Sequence, residues 1–246
     1  MYETHPNLIS PTDNTRLWRF MDLSKLLWLL SNSALYFCRL DLLRDPYEGV
    51  MSKMSFAGYE RLLPNQTEAI KSMIISQRKW VFANSWHMNE FESAAMWDLY
   101  LNSPEGVAIE TDFARFRDSF SAEKIHDVLI GKVNYIDYAT ESVAQGNYFN
   151  YLYVPVHKRK SFEHERELRA IVWLLATFGK QQDKIDINTY HPPPGISIQV
   201  NIKTLIRNIF VSPTAQSWYV DVVRSVLCRY GFDEIPVVQS DLYSVK

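Results

Sequence analysis

The chain has 246 residues, 47% apolar and 22% charged, the make-up of a globular protein that can bury a substantial core. A formal net charge of −2 gives no global field favouring nucleic acid. With only 8 glycines, and neither GxGxxG nor GxxxxGK, a glycine-rich phosphate loop is excluded.

The opening MYETHPNL lacks the basic and apolar regions of a secretory leader. The longest apolar run, Ala170 to Phe178, is too short to span a bilayer, so the expected setting is cytoplasmic, with no membrane partner. Cys38 and Cys228 read as buried free thiols of a reducing compartment.

Residues 1–15 are polar and read as a flexible N-terminal arm, with a single domain over 16–246. Leu17 to Phe20 is a short predicted strand. Asp22 caps a predicted helix over Leu23 to Asn32, where Leu23, Leu26, Leu27 and Leu30 recur at helical spacing. Leu35 to Arg39 is a second strand. Pro46 disfavours helix at Asp45, so Asp41 to Gly49 is a defined loop. A helix over Asn65 to Gln77, a strand over Trp80 to Trp86 and a helix over Glu90 to Leu101 follow.

Gly106 to Thr111 is a strand, and Asp112 caps a short helix to Phe120. The alternation in Leu129 to Tyr138 predicts one long strand. Asn147 to Phe162 reads as helix or loop, interrupted by Pro155. Glu167 to Leu175 is a strand, and Phe178 to Pro194 is a loop carrying three consecutive prolines. Strands over Ile196 to Val200, Asn208 to Val211 and Ile235 to Ser240 surround a helical turn capped by Asn201. They also surround a helix over Thr214 to Tyr230, stopped by Gly231. Without a regular βαβ alternation, the expected class is α+β, a single domain with a mixed, mostly antiparallel sheet flanked by helices.

The densest run of charge is Lys158 to Trp173, KRKSFEHERELRAIVW, which turns into an apolar strand. Ionisable groups at the mouth of a core are where perturbed acids and bases gather. In an extended strand Glu163, Glu165, Glu167 and Arg169 share one face, and carboxylates so crowded need cations between them. Lys158, Arg159, Lys160, Arg166 and Arg169 can supply these. A second cluster, Ser85 to Glu90, places His87 where a strand feeds a helix. Two HxxE pairs, His87/Glu90 and His164/Glu167, suggest metal ligation, but residues three apart on a strand face opposite ways, which defeats the second pair as ligands, and no metal is expected. A third unit is Arg19 on the first strand and Tyr36 on the second. There is no GxSxG and no motif around either cysteine.

The segments LWRFMDLSKLLWLLSNSALYFCRLDLLRDPYEG, SWHMNEFESAAMW with GVAIET, and KRKSFEHERELRAI resemble the bacterial domain-of-unknown-function family DUF2971, over about Leu17 to Leu242. A remoter likeness is to ADP-ribosyltransferases. Those enzymes place Arg or His on a first strand, Tyr or Ser on a second and Glu on a later one, and bind NAD without a glycine-rich loop. Their Ser-Thr-Ser strand motif has no counterpart here.

That resemblance implies NAD as a substrate, consumed by an enzyme of a toxin or phage-defence system. It puts Arg19 on the phosphates or ribose and Tyr36 against the nicotinamide. Glu167 would sit at the nicotinamide ribose, with Glu165 activating an acceptor, protein or nucleic acid. His87 and Arg169 join Arg19 and Tyr36 as candidate NAD contacts. The reading requires Arg19, Tyr36 and Glu167 to line one cleft. Two other readings stand beside it: a nucleic-acid enzyme or binder using the basic run, and a non-catalytic sensor whose charges are structural ion pairs.

Overall fold

The computed structural model describes residues 2–3, 5–6, 8–101, 103–143, 151–180 and 189–245. Its strands are β1 (Tyr2–Glu3), β2 (Arg16–Asp22), β3 (Ala34–Arg39), β4 (Val81–Met88), β5 (Gly106–Asp112), β6 (Val128–Lys132), β7 (Asn134–Ile136), β8 (His157–Arg159), β9 (Glu167–Trp173), β10 (Gly195–Gln199), β11 (Asn208–Val211) and β12 (Val237–Gln239). Its α-helices are α1 (Leu23–Asn32), α2 (Lys53–Leu62), α3 (Thr67–Gln77), α4 (Ala94–Tyr100), α5 (Phe113–Ser119), α6 (Leu174–Lys180), α7 (Ile202–Leu205) and α8 (Trp218–Arg229).

Ten strands form one mixed, mostly antiparallel sheet in the order β1-β6-β9-β4-β2-β5-β11-β12, with β3 joined to β4 and β10. The fold is α+β. Alternation sorts the side chains. Leu17, Met21, Phe82, Trp86, Leu168, Ala170 and Val172 face the main core, where α1, α5 and α8 supply Leu26, Leu29, Phe116, Val223 and Leu227. On the opposite face Trp18 and Phe20 pack on Met96 and Trp97 of α4. At about 25 cal/mol per Å² of apolar surface, these aromatic-rich layers are the main force holding the sheet's shape.

The sheet is forked at β4. Its end pairs with β2 only through Leu17 with Met88 and Trp18 with His87. Its beginning pairs with β3 only through Cys38 with Ala83 and Arg39 with Phe82. Between these contacts β2 and β3 diverge, with α1 bridging them. Backbone groups in the fork lose ladder partners and must find others. The Asn84 side-chain amide donates to the Tyr36 carbonyl at 2.9 Å, and the Arg19 guanidinium donates to the Ser85 carbonyl.

Local signals in the chain account for most element ends. Asp22, Asp112 and Asn201 cap α1, α5 and α7 by accepting backbone N–H groups. Gly231, at φ 75°, follows α8.

Four expectations are corrected. The charged stretch is not extended throughout, because Lys160–Glu165 is a 3-10 turn and the strand begins only at Glu167. Glu163 is therefore exposed and leaves the shared face. The long strand over Leu129 to Tyr138 breaks at Val133, whose backbone N–H donates to the Glu167 carbonyl. Beyond the break β7 pairs in parallel with β8, not with β9. Helix α4 starts at Ala94 behind a Ser93 cap, not at Glu90. Cys228 is exposed on α8 and Cys38 is only half-buried.

Helix α2 had no expectation attached. Residues 144–150 and 181–188, parts of two segments with sequence expectations, lie outside the described residues. Within residues 1–15, Tyr2 and Glu3 pair with β6 and Leu8 is buried against Leu40 and Val81.

Candidate functional site

A cavity of about 1050 Å³ opens at the fork. Arg19, Tyr36, His87, Glu165, Glu167 and Arg169, the residues singled out from the sequence, all line it. So do Glu48 and Lys158.

Two backbone features bring the glutamates together. Arg166 adopts a left-handed conformation at φ 41°, ending the 3-10 turn as β9 begins. Its amide bonds back to the Glu163 carbonyl, and its own carbonyl accepts from Met88. Glu165 and Glu167, on either side of this kink, both bury their carboxylates against one ammonium. Lys158 Nζ lies 2.8 Å from Glu165 Oε2 and 2.6 Å from Glu167 Oε1. Strand β8 delivers that lysine, because β7 holds it in register through Tyr135 and Lys158. The Tyr135 hydroxyl in turn accepts the Glu167 backbone N–H at 2.8 Å.

Arg169 extends the cluster. It donates to Glu167 Oε2 at 2.8 Å, to Glu48 Oε2 at 2.9 Å and to the Pro155 carbonyl at 2.7 Å. Glu48 also lies 3.3 Å from Lys158 Nζ. Glu48, Lys158, Glu165, Glu167 and Arg169 are each more than nine-tenths buried.

Glu48 takes the position in the charge balance that Glu163 was expected to hold. It comes from the Asp45-Pro46-Tyr47-Glu48-Gly49 loop. That loop is pinned by Asp45, which accepts from the Tyr47 amide and from Arg159 at 3.1 and 2.8 Å. Gly49 has φ 70°, and a Cβ there would meet Leu40. The available sequence signal was an acid between a proline and a glycine in a defined loop.

Three carboxylates face two cations, so one negative charge is in excess. Buried charge without compensation is costly, and the cluster relieves it by protonation. Burial drives the Glu165 carboxyl up, and its hydrogen bond to Glu167 and the Glu167 charge add to this against the pull of Lys158; the result is about 7. Burial also pushes on Glu167, but Arg169 and then Lys158 override it and hold this carboxylate well below its ordinary range. The two glutamates are therefore driven apart: its two cations hold Glu167 as the anion, and burial beside that charge drives Glu165 toward the protonated form.

The remaining lining groups are more sparsely held. Among the described residues Arg19 has no carboxylate in ion-pair range. Its guanidinium lies 5.9 Å from the Trp86 ring, and burial lowers its pKa against the opposing pull of Tyr100 and Glu167. Tyr100 is raised to about 12 by burial and by the charges of Glu165 and Glu167. His87 Nδ1 lies 2.7 Å from the Glu165 carbonyl, so Nδ1 carries the proton and Nε2 is left as an acceptor. Nε2 is buried without a partner among the described residues, and burial lowers the imidazole pKa.

Tyr36 is 44% exposed and meets the Trp28 ring edge-on, with centroids 5.8 Å apart. Gly195, in the paired strand β10, leaves room for the Tyr36 ring, because any Cβ there would overlap it.

The basic run, by contrast, is largely compensated. Lys158 and Arg169 belong to the cluster, Arg159 pairs with Asp45, and Lys160 pairs with Glu141. No group of His, Cys, Asp and Glu suited to a metal ion is present among the described residues. No helix among them is long and apolar enough to cross a membrane. Comparison with protein-family models, with curated proteins and with solved structures matches none of them to this chain.

Proposed function

We propose that the fork cavity binds NAD and breaks its nicotinamide–ribose bond, passing the ADP-ribose portion to an acceptor. The observation that carries the reading is the convergence of Arg19, Tyr36 and Glu167 on one cavity. A guanidinium without a carboxylate suits a phosphate, a half-exposed aromatic ring suits a stacked heterocycle, and a fixed buried carboxylate suits a sugar cation.

In the step, the bond from ribose C1 to the pyridinium nitrogen breaks. Its electron pair goes to the ring, which leaves as neutral nicotinamide. The positive charge moves to the ribose as an oxocarbenium ion facing Glu167. Each Glu167 oxygen already accepts from a cation, but a carboxylate has about four acceptor sites, so capacity remains for a ribose hydroxyl. The acceptor then forms its bond to C1 and gives its proton to Glu165, which takes it in the ionised form. Carboxylates whose environments push their pKa values apart can divide labour in this way.

The compensation of the basic run favours this reading over strand binding along that surface. Following nicotinamide release from NAD tests it. The expected result is turnover by the wild-type protein that Glu167→Gln abolishes. Wild-type release no faster than that of a folded Glu167→Gln variant overturns it.

A further inference from the structure

Resting on the proposed NAD reading, we infer that the cavity is built for a ligand carrying two negative charges, with Arg44 as a second anion contact beside Arg19. The argument is a charge balance over the cavity wall.

Every lining carboxylate has a cation: Asp45 has Arg159, Glu48 has Arg169 and Lys158, and Glu165 and Glu167 have Lys158. Lining Lys25 pairs with Asp22 at 2.8 Å. Two lining guanidiniums remain, Arg19 inside the fork and Arg44 on the loop after β3. Neither has a carboxylate within ion-pair distance among the described residues.

The balance is one-sided. The cluster of Glu48, Glu165 and Glu167 with Lys158 and Arg169 carries at most one excess negative charge, and two guanidiniums share the cavity with it, so the wall as a whole carries an excess of positive charge. A low-dielectric recess strengthens the pull of such charges on an anion.

The placement of Arg44 is fixed at the backbone. It directly precedes Asp45, which two hydrogen bonds from Arg159 hold in place. Its side chain is exposed and free to meet a ligand arriving at the rim. A nucleoside diphosphate matches this wall: the phosphates supply the missing charges, and in a ligand without nicotinamide the base can take the Tyr36 and Trp28 face that the nicotinamide of NAD would occupy. An uncharged nucleoside leaves both guanidiniums uncompensated. Arg44 is thus a residue that selects the ligand, not one that acts on the reacting atoms.

Calorimetric titration of ADP, AMP and adenosine tests this at low and high salt. ADP should bind best and adenosine worst, with the difference shrinking as salt screens the charges. Arg19→Gln should weaken ADP about tenfold or more, and Arg44→Gln about threefold to tenfold, as for partly buried and exposed charge-assisted contacts. Neither should weaken adenosine, and Arg44→Lys should keep most of the ADP affinity.

Absence of ADP binding overturns the inference. Adenosine binding as tight as ADP does the same. So does unchanged ADP affinity in Arg44→Gln, an exposed position where misfolding is no explanation.

Nicotinamide release by the same proteins separates the two proposals. ADP binding that needs both arginines, without turnover, keeps the dianion site and removes the transfer reaction. Turnover with a KM that Arg44→Gln does not move keeps the reaction and removes this site.

Discussion

Glu123 and the pair Glu165 and Glu167 are buried glutamates with contrasting surroundings, and the difference between them separates a carboxylate that ties a loop from ones suited to the proposed chemistry. Glu123, in the connection before β6, accepts backbone N–H groups from Ile125, His126 and Gln199 at 2.7, 3.0 and 3.0 Å. Its carboxylate ties a loop to β10. Burial pushes its pKa up, but the His126 side chain and these amides override it and bring it to about 2. It does not border the fork cavity. Glu165 and Glu167 are as well buried but face cations, border the cavity, and shift in opposite directions. A single depressed carboxylate held by amides is what a well-tied loop produces. Two carboxylates driven apart at the wall of a cavity are what the proposed proton transfer would use.

The largest effect should come from removing Arg169, which ties the cluster around Glu165 and Glu167 together. Arg169→Ala leaves Glu48 and Glu167 buried without one of their two cations. Breaking such a network from one side costs about 3–5 kcal/mol. Chemical denaturation should therefore give a much lower midpoint than wild type. A loss below about 1 kcal/mol would mean that water enters the cluster and that its charges are not truly desolvated.

Glu123→Gln should come next. It removes a charged acceptor from three amides and costs about 1–3 kcal/mol, with ligand binding and turnover unchanged. The pH dependence has a definite sign. The folded pKa of Glu123 is depressed, so its contribution is present above the ordinary carboxylate range and is lost as pH falls toward about 2. Wild type should lose its advantage over Glu123→Gln in that acid window. An advantage that persists there would assign the stability to something other than the charge.

Glu165→Gln should show the opposite pattern. The folded pKa of Glu165 is raised, so the folded state binds the extra proton. Its contribution is complete below the ordinary carboxylate range and is lost as pH rises through about 7. An amide resembles the protonated acid, so the variant should match wild type in acid and be the more stable of the two above pH 7. If Glu165 serves as the base, turnover should fall about 10²-fold or more and the pH–rate limb near neutrality should vanish. Lost turnover with that limb retained would move the proton transfer to another group.

The parts of this site visible in the sequence were those set by local rules. Arg19 and Tyr36 flank a helix whose cap, Asp22, and apolar spacing mark its position, so their strands could be placed. Glu167 and Arg169 are two apart in a strand, so alternation put them on one face. What failed depended on single backbone angles or on distant partners. The left-handed Arg166 removes Glu163 from that face and brings Glu165 beside Glu167, and no local preference announces a positive φ at arginine. Glu48 lies 121 residues from Arg169 in the chain, so its membership follows from topology alone. After Lys132 the ladder with β9 ends: Val133 still gives its N–H to the Glu167 carbonyl, but the Glu167 N–H goes to the Tyr135 hydroxyl, a long-range choice invisible to alternation.

The smallest change tests the same contrast from the aromatic side of the cavity. Gly195 faces the Tyr36 ring across paired strands, and a methyl group there would overlap the ring. Because Tyr36 is half-exposed, the ring can swing outward. Gly195→Ala should therefore cost less than about 1 kcal/mol in stability. The displaced ring would lose its edge-on contact with Trp28 and its stacking position at the cavity mouth. Affinity for ADP and for adenosine should fall by a similar factor, since the base is common to both, whereas the arginine variants weaken ADP alone. Thermal melting and titration of both ligands check this. Equal losses place the base against Tyr36. A loss confined to ADP would instead place the phosphates there, and the aromatic and cationic ends of the cavity would exchange roles.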